Sequence, residues 1–257
     1  MGGGVEGVAG AVLAGAAGLV FGSFNNVLIY RLPRGESVVW PGSRCPKCGH
    51  PLRWWENIPL LSFALLRGRC SSCAAPISWR YPLVEALTAA GVLHAYLRHG
   101  TTWEGAASAT LAVLLVPVVF IDLEHRIIPD RITLPGILLG LALSFSRAGL
   151  PGVWQAALAG LGAGAFFLAV AVLSKGGMGG GDVKLAAMLG AFTDPARVLV
   201  GVFLGILAGG VVGVALLATR RKRRKDAIPF GPFLALGGFA GAEWGRELLS
   251  AYLSLFP

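Results

Sequence analysis

The chain has 257 residues, 55% of them hydrophobic and only 14% charged, with a mean hydropathy of +0.69. Soluble domains carry roughly a quarter charged residues, so this composition excludes an ordinary soluble protein, and apolar runs without period-two alternation exclude a membrane β-barrel. The net charge of +9 is explained by membrane topology, and no nucleic-acid partner is expected.

Apolar runs near the bilayer-spanning length of about 20 residues recur along the chain. They predict an all-α polytopic membrane protein with about eight transmembrane helices. The spans fall at 8–30, 83–97, 106–121, 132–145, 153–173, 183–192, 198–219 and 228–242. The first has no basic residue before it and several after it, the reverse of a secretory signal. This predicts an uncleaved span with its N-terminus outside.

The basic residues agree with that orientation. Eighteen of the 22 lysines and arginines lie in segments 31–82, 122–131, 174–184 and 220–227, which this topology places inside. Four, Arg98, Arg147, Arg197 and Arg246, lie outside. The run 220–225, RRKRRK, reads as an anchor to anionic membrane lipid. Two spans are irregular. Span 183–192 supplies only about 15 Å of helix, so either its ends snorkel or the glycine-rich loop before it dips into the membrane. The last span is expected to end at Glu243, Arg246 and Glu247, with the tail lying along the outer interface.

Segment 31–82 is the one sizeable polar stretch, and it holds the chain's four cysteines: Cys45, Cys48, Cys70 and Cys73. Two CxxC knuckles at this separation match a Cys₄ zinc ribbon. The expected cytoplasmic side is reducing, which favours zinc over two disulfides. Four protein ligands leave no open coordination position, so the metal is expected to be structural and to supply folding energy to a small loop. Trp54 and Trp55, between the knuckles, read either as interfacial aromatics or as ribbon packing.

A second feature is the stretch SKGGMGGGDVK (174–184), where five glycines lead to Asp182. In a soluble protein such an aspartate reads as a helix cap. In a membrane chain, an acid at a span is a functional candidate. Asp122 ends the third span at the same membrane face, with Glu124 and Asp130 as rivals. Asp130 follows a proline and precedes an apolar run, the position of a helix cap. Two carboxylates at one face suggest an aspartic acid–base pair: one, ionised, activates water, and the other, protonated, donates to a carbonyl. No serine–histidine or cysteine–histidine set competes.

These stretches together resemble a known family. GSFNNVLIYRLP (22–33), CPKCGHPLRWWENIPLLSF (45–63), RGRCSSCAAPISWRYPLVE (67–85), IDLEHRIIPD (121–130), GMGGGDVKLAAMLG (177–190) and PFGPFLALG (229–237) resemble the type IV prepilin peptidases, membrane aspartic proteases of the GxGD kind. The resemblance covers nearly the whole chain. It implies catalytic aspartates at Asp122 and Asp182, and cleavage of prepilin or pseudopilin leaders after a glycine on the cytoplasmic side of the bacterial inner membrane. Members with the four-cysteine loop commonly also methylate the new N-terminus from S-adenosylmethionine. Glu56, Asn57, Arg80, Tyr81 and Glu85 are the candidates for that second activity. The implied division is a first span at 1–30, a loop tied to methyl transfer at 31–82 and a peptidase domain at 83–257. Three other readings stand beside it: a peptidase without methyl transfer, a non-enzymatic zinc-ribbon scaffold, and a proton-coupled transporter, for which no inverted repeat is seen.

Overall fold

The computed structural model describes residues 5–174, 178–221 and 228–256. Gly176, Gly177 and most of the basic run at 220–225 lie outside the described residues. The helices in chain order are α1 (Val5–Arg31), α2 (Leu61–Leu65), α3 (Arg80–His99), α4 (Trp103–His125), α5 (Asp130–Leu173), α6 (Gly180–Ala191), α7 (Pro195–Ala218) and α8 (Gly231–Leu253). There is no strand among the described residues, only isolated bridges between Arg44 and Pro51 and between Arg69 and Pro76. The chain is an all-α membrane protein, and α1, α4, α5 and α7 are long and apolar enough to cross a bilayer.

All eight expected spans are helical. Two of them, 132–145 and 153–173, are the limbs of α5, which breaks at Ala148 and Gly149. Gly149 has φ 60°, a left-handed conformation that glycine adopts without steric cost. The chain forms two compact units, Met1–Pro117 and Val118–Pro257.

In the first unit α1 packs antiparallel to α3 through small residues. A methyl group at Gly18 or Gly22 would come within 2.6 Å of the Cα of Ala89 or Glu85 respectively, the close backbone approach typical of helices in lipid. Two asparagines add polar links. Asn25 Nδ2 donates to Thr88 Oγ1 at 3.2 Å and to the Val113 carbonyl at 3.0 Å. Asn26 Nδ2 donates to the Tyr81 carbonyl at 3.1 Å.

In the second unit the short helix α6 is the core. Leu185, Ala186, Met188 and Leu189 are buried. At Gly190 and Gly140, α6 meets the two limbs of α5 backbone to backbone, and Ser144 Oγ donates to the Ala191 carbonyl. This accounts for a helix of about 18 Å in a membrane protein: protein rather than lipid surrounds it, and irregular backbone at its ends is tolerated there.

The last helix differs from the sequence expectation, since α8 continues through Glu243, Arg246 and Glu247 to Leu253. Charge does not end it because Asp194, the N-cap of α7, accepts from Arg246 Nη2 at 2.9 Å and Nε at 3.1 Å. Helices α7 and α8 meet along Gly201, Gly205, Gly237 and Gly241.

A methyl group at position 237 would lie 2.5 Å from the Gly201 carbonyl oxygen and 2.7 Å from the Gly205 Cα. Backbone atoms have no rotamer with which to yield. Gly237→Ala is therefore expected to cost at least about 1–3 kcal/mol through overpacking. Gly210→Ala, whose Cβ would meet open space, is expected to be neutral or mildly stabilising. Thermal unfolding in detergent checks the contrast, and equal midpoints for the two variants would refute this packing.

Candidate functional site

Asp122 lies near the end of α4 and is buried, with 5% of its surface exposed. Its carboxylate oxygen Oδ2 accepts the Gly231 N–H at 2.9 Å. Gly231 opens α8, where backbone amides have no partner within the helix. A Cβ at 231 would stand 2.7 Å from Asp122 Oδ2 and 3.2 Å from Ile128 Cδ1, so the absence of a side chain is what lets the carboxylate sit there.

After α4 the chain turns at Arg126, with φ 57°, and runs through Ile128 to Pro129. The Ile128 side chain also packs against Gly181, where a Cβ would come within 2.9 Å of it. Ile128 thus wedges between the first turns of α6 and α8. Asp182 follows Gly181. It does not cap α6, since Gly179 holds that position with no side-chain cap. Asp182 is half-buried at the third residue of the helix. Its carboxylate lies within direct electrostatic reach of Asp122.

Asp130 does not cap α5 either, because Pro129 takes that place. Instead both carboxylate oxygens of Asp130 accept from Lys184 Nζ at 2.7 Å. The pair is exposed and joins the start of α5 to the first turn of α6, two residues beyond Asp182. Glu124 is exposed and lies 3.9 Å from His125 Nε2. Of the acids considered from sequence, Asp122 and Asp182 are the two brought together.

The four cysteines converge in the first unit. Their sulfurs all lie within 4.8 Å of one another, and Cys45 Sγ is 3.9 Å from Cys73 Sγ. Sulfurs about 2.3 Å from a tetrahedral ion lie about 3.8 Å apart, so the set fits one metal ion.

The knuckles are a local repeat, RCPKCGHP (44–51) and RCSSCAAP (69–76), that inspection of the CxxC spacing alone overlooks. Cys45 N donates to His50 O and Gly49 N to Cys45 O; Cys70 N donates to Ala75 O and Ala74 N to Cys70 O. Glu56 joins the two knuckles. Its Oε2 accepts Arg53 N–H at 2.7 Å and lies 3.4 Å from His50 Nε2. The Ser71 hydroxyl, the Arg53 amide and His50 hold its carboxyl below the usual carboxylate range.

The other candidates for cofactor binding are spread around the junction of the loop with α3. Asn57 lines a cleft beside α1. Glu85, buried in α3, accepts the Leu60 N–H at 2.8 Å. The Arg80 guanidinium lies 5.3 Å from the centre of the Tyr81 ring.

The second knuckle places Ala74 at φ 55°, where its counterpart Gly49 has φ 73°. A left-handed conformation costs an L-residue about 1–2 kcal/mol. Ala74→Gly is expected to raise the stability of this segment by up to about 1 kcal/mol, and Gly49→Ala to lower it. Thermal unfolding under reducing conditions checks both signs; shifts in the same direction would refute the equivalence of the knuckles.

Comparison with known proteins gives a consistent result. Residues 16–99 match the family model described as the bacterial peptidase A24 N-terminal domain, and residues 109–214 match the type IV leader peptidase family. The chain is 38% identical to the prepilin leader peptidase/N-methyltransferase of Pseudomonas aeruginosa over 267 residues, 92% of this chain and 91% of that one. It is 46% identical to the protein of that name from Myxococcus xanthus over 219 residues, 82% of this chain and 64% of that one. It is 36% identical to the protein of that name from Xanthomonas campestris over 269 residues, 93% of each. No solved structure matches.

Proposed function

The chain belongs to the type IV leader peptidase family, and from that premise we propose that it cleaves the leaders of type IV prepilins or pseudopilins and N-methylates the amine so exposed. The observation that carries the reading is that Ile128 packs against both Gly181, which precedes Asp182, and Gly231, whose amide holds Asp122, in a chain alignable with its relatives over nearly its full length.

Asp122 and Asp182 are the catalytic pair in this reading. One, ionised, takes a proton from water as the water attacks the scissile carbonyl. The other, protonated, donates to the carbonyl oxygen. Gly231 holds one carboxylate by its amide. Gly180, where a Cβ would meet open space, leaves room for an extended peptide to approach. Cleavage follows a glycine on the cytoplasmic face of the bacterial inner membrane, with the N-terminus of the enzyme outside. The strong bias of basic residues toward the proposed inner segments supports this orientation.

Cys45, Cys48, Cys70 and Cys73 hold a structural zinc ion in this account. Their closed shell leaves no position for an activated water, so hydrolysis falls to the aspartates. Methyl transfer belongs to segment 31–82 and the start of α3, and peptide cleavage to 83–257. S-adenosylmethionine, when bound, supplies a methyl group on a cationic sulfonium. Glu56 and Glu85 are the buried acids of the first unit among the described residues and offer charge complementary to a cationic donor and an amine. Asn57, Arg80 and Tyr81 flank them.

Asp122→Asn and Asp182→Asn are each expected to abolish cleavage of a prepilin-like peptide while the protein still inserts and unfolds at an unchanged temperature. Full activity in either variant would sink the assignment. Loss in Asp130→Asn with Asp122→Asn active would move the role to Asp130.

Metal analysis of reduced protein is expected to find one zinc per chain. Cys48→Ser should destabilise the segment and impair methylation more than cleavage. Absence of zinc, or native disulfides on thiol titration, would refute the site.

A further inference from the structure

The segment between α4 and α5 grips the first turn of α6 twice. The Ile128 side chain packs on Gly181. Two residues further along the same segment, both carboxylate oxygens of Asp130 accept from Lys184 Nζ at 2.7 Å. Positions 181 and 184 are three apart on a helix and share a face, so the two contacts lie one above the other along α6. Asp182 stands between them in the chain and about 100° round the helix from Gly181. Residues two apart on a helix do not face each other. The Lys184 side chain therefore leaves α6 on a different side from that of Asp182.

The turn held in this way has little stiffness of its own. Gly179, Gly180 and Gly181 lead into Asp182, and glycine loses more conformational freedom on ordering than any other residue. Gly179, the N-cap, offers no side-chain cap, and a Cβ at Gly180 would meet open space. Core packing takes hold of α6 at Leu185, which is fully buried, and continues through Leu189.

Before Leu185, the place of the helix relative to the segment after Asp122 depends on Ile128 and the ion pair. The Ile128 contact is apolar and has no direction. The ion pair has one, because a single ammonium is shared by two oxygens at equal distance. Asp130 is a firm anchor for it, since the ring of Pro129 restricts the backbone immediately before α5. An exposed ion pair contributes little to global stability, so its effect is local to the turn it holds.

We propose that Asp130 and Lys184 are positioning residues for peptide cleavage. They hold the first turn of α6 against the segment that follows Asp122, and so set Asp182 relative to Asp122. Neither touches the substrate or exchanges a proton in the reaction. The proposal rests on Asp122 and Asp182 being the catalytic pair. Displacing a reacting group by about 1 Å can cost about 10²-fold in rate. Losing the ion pair loosens the turn with Ile128 still in place, so a fall of about tenfold is expected.

The test measures kcat and KM for cleavage of a prepilin-like peptide by the full chain in detergent. Lys184→Met and Asp130→Asn are each expected to lower kcat about tenfold with KM unchanged. The double variant should be no slower than either single, because both remove the same contact. Lys184→Arg, which keeps a cation within reach of both oxygens, should retain most of the activity. Thermal midpoints should stay put, while amide hydrogen exchange quickens over 180–184 in Lys184→Met and does not over 185–191.

Unchanged kcat in either single variant, or unchanged exchange over 180–184, would overturn the proposal. So would a rise in KM alone, which would mean direct contact with substrate, or losses that multiply in the double variant, which would mean separate roles. Abolished cleavage in Asp130→Asn beside an active Lys184→Met would give Asp130 a chemical role instead. A wild-type protein that cleaves nothing would count against the catalytic reading, and the exchange measurement would still decide whether the pair holds the turn.

Discussion

The hydrogen bond from the Gly231 amide to Asp122 is the contact around which the second unit is organised. A carboxylate buried at a helix end requires a donor, and the first turn of a helix has amides to spare. Meeting that requirement brings α8 to α4 at a point where no side chain fits. Ile128 then fills the space between α8 and α6 and sets Gly181, and with it Asp182, beside Asp122. The glycine seams of α6 with α5 and of α7 with α8 let those helices approach backbone to backbone.

The first unit solves a different problem. A loop too small for a core of its own is closed by four sulfurs at metal-binding distance and by Glu56, which links the two knuckles through His50 and Ser71. Glu85 ties the middle of the loop, between the two knuckles, to α3 by accepting the Leu60 N–H, at a residue with φ 59°. Asn25, Asn26 and the glycines of α1 lock the paired helices beneath it. The segment that the relatives' second activity is proposed to use is thus bound both to a metal set and to the membrane helices.

Much of this was legible in the sequence because it is local. Apolar runs located seven of the eight helices, two runs marking the limbs of α5 and none marking α2, and the CxxC spacing located the sulfur cluster. The glycine stretch before Asp182 marked a place of close backbone approach. What was not legible depends on partners distant in sequence. Asp130 looks like a cap from the proline before it and the apolar run after it, yet its partner is Lys184, 54 residues away. The charges at Glu243 and Arg246 look like the end of a span until Asp194 is seen to take up Arg246. Span 183–192 looks too short because hydropathy counts residues against a bilayer, whereas α6 is sheltered by other helices. Gly231 sits in a motif recognised from sequence, but its amide's role appears only once α8 is docked on Asp122.

The central claim is that the carboxylate pair and the cysteine segment act in turn on one substrate. The most direct measurement incubates purified protein with a prepilin-like peptide and S-adenosylmethionine and determines the product's N-terminus by mass. The account predicts a product cut directly after the leader glycine and carrying one added methyl group, with unmethylated product when the donor is omitted. An intact peptide, or a cut elsewhere, would contradict it.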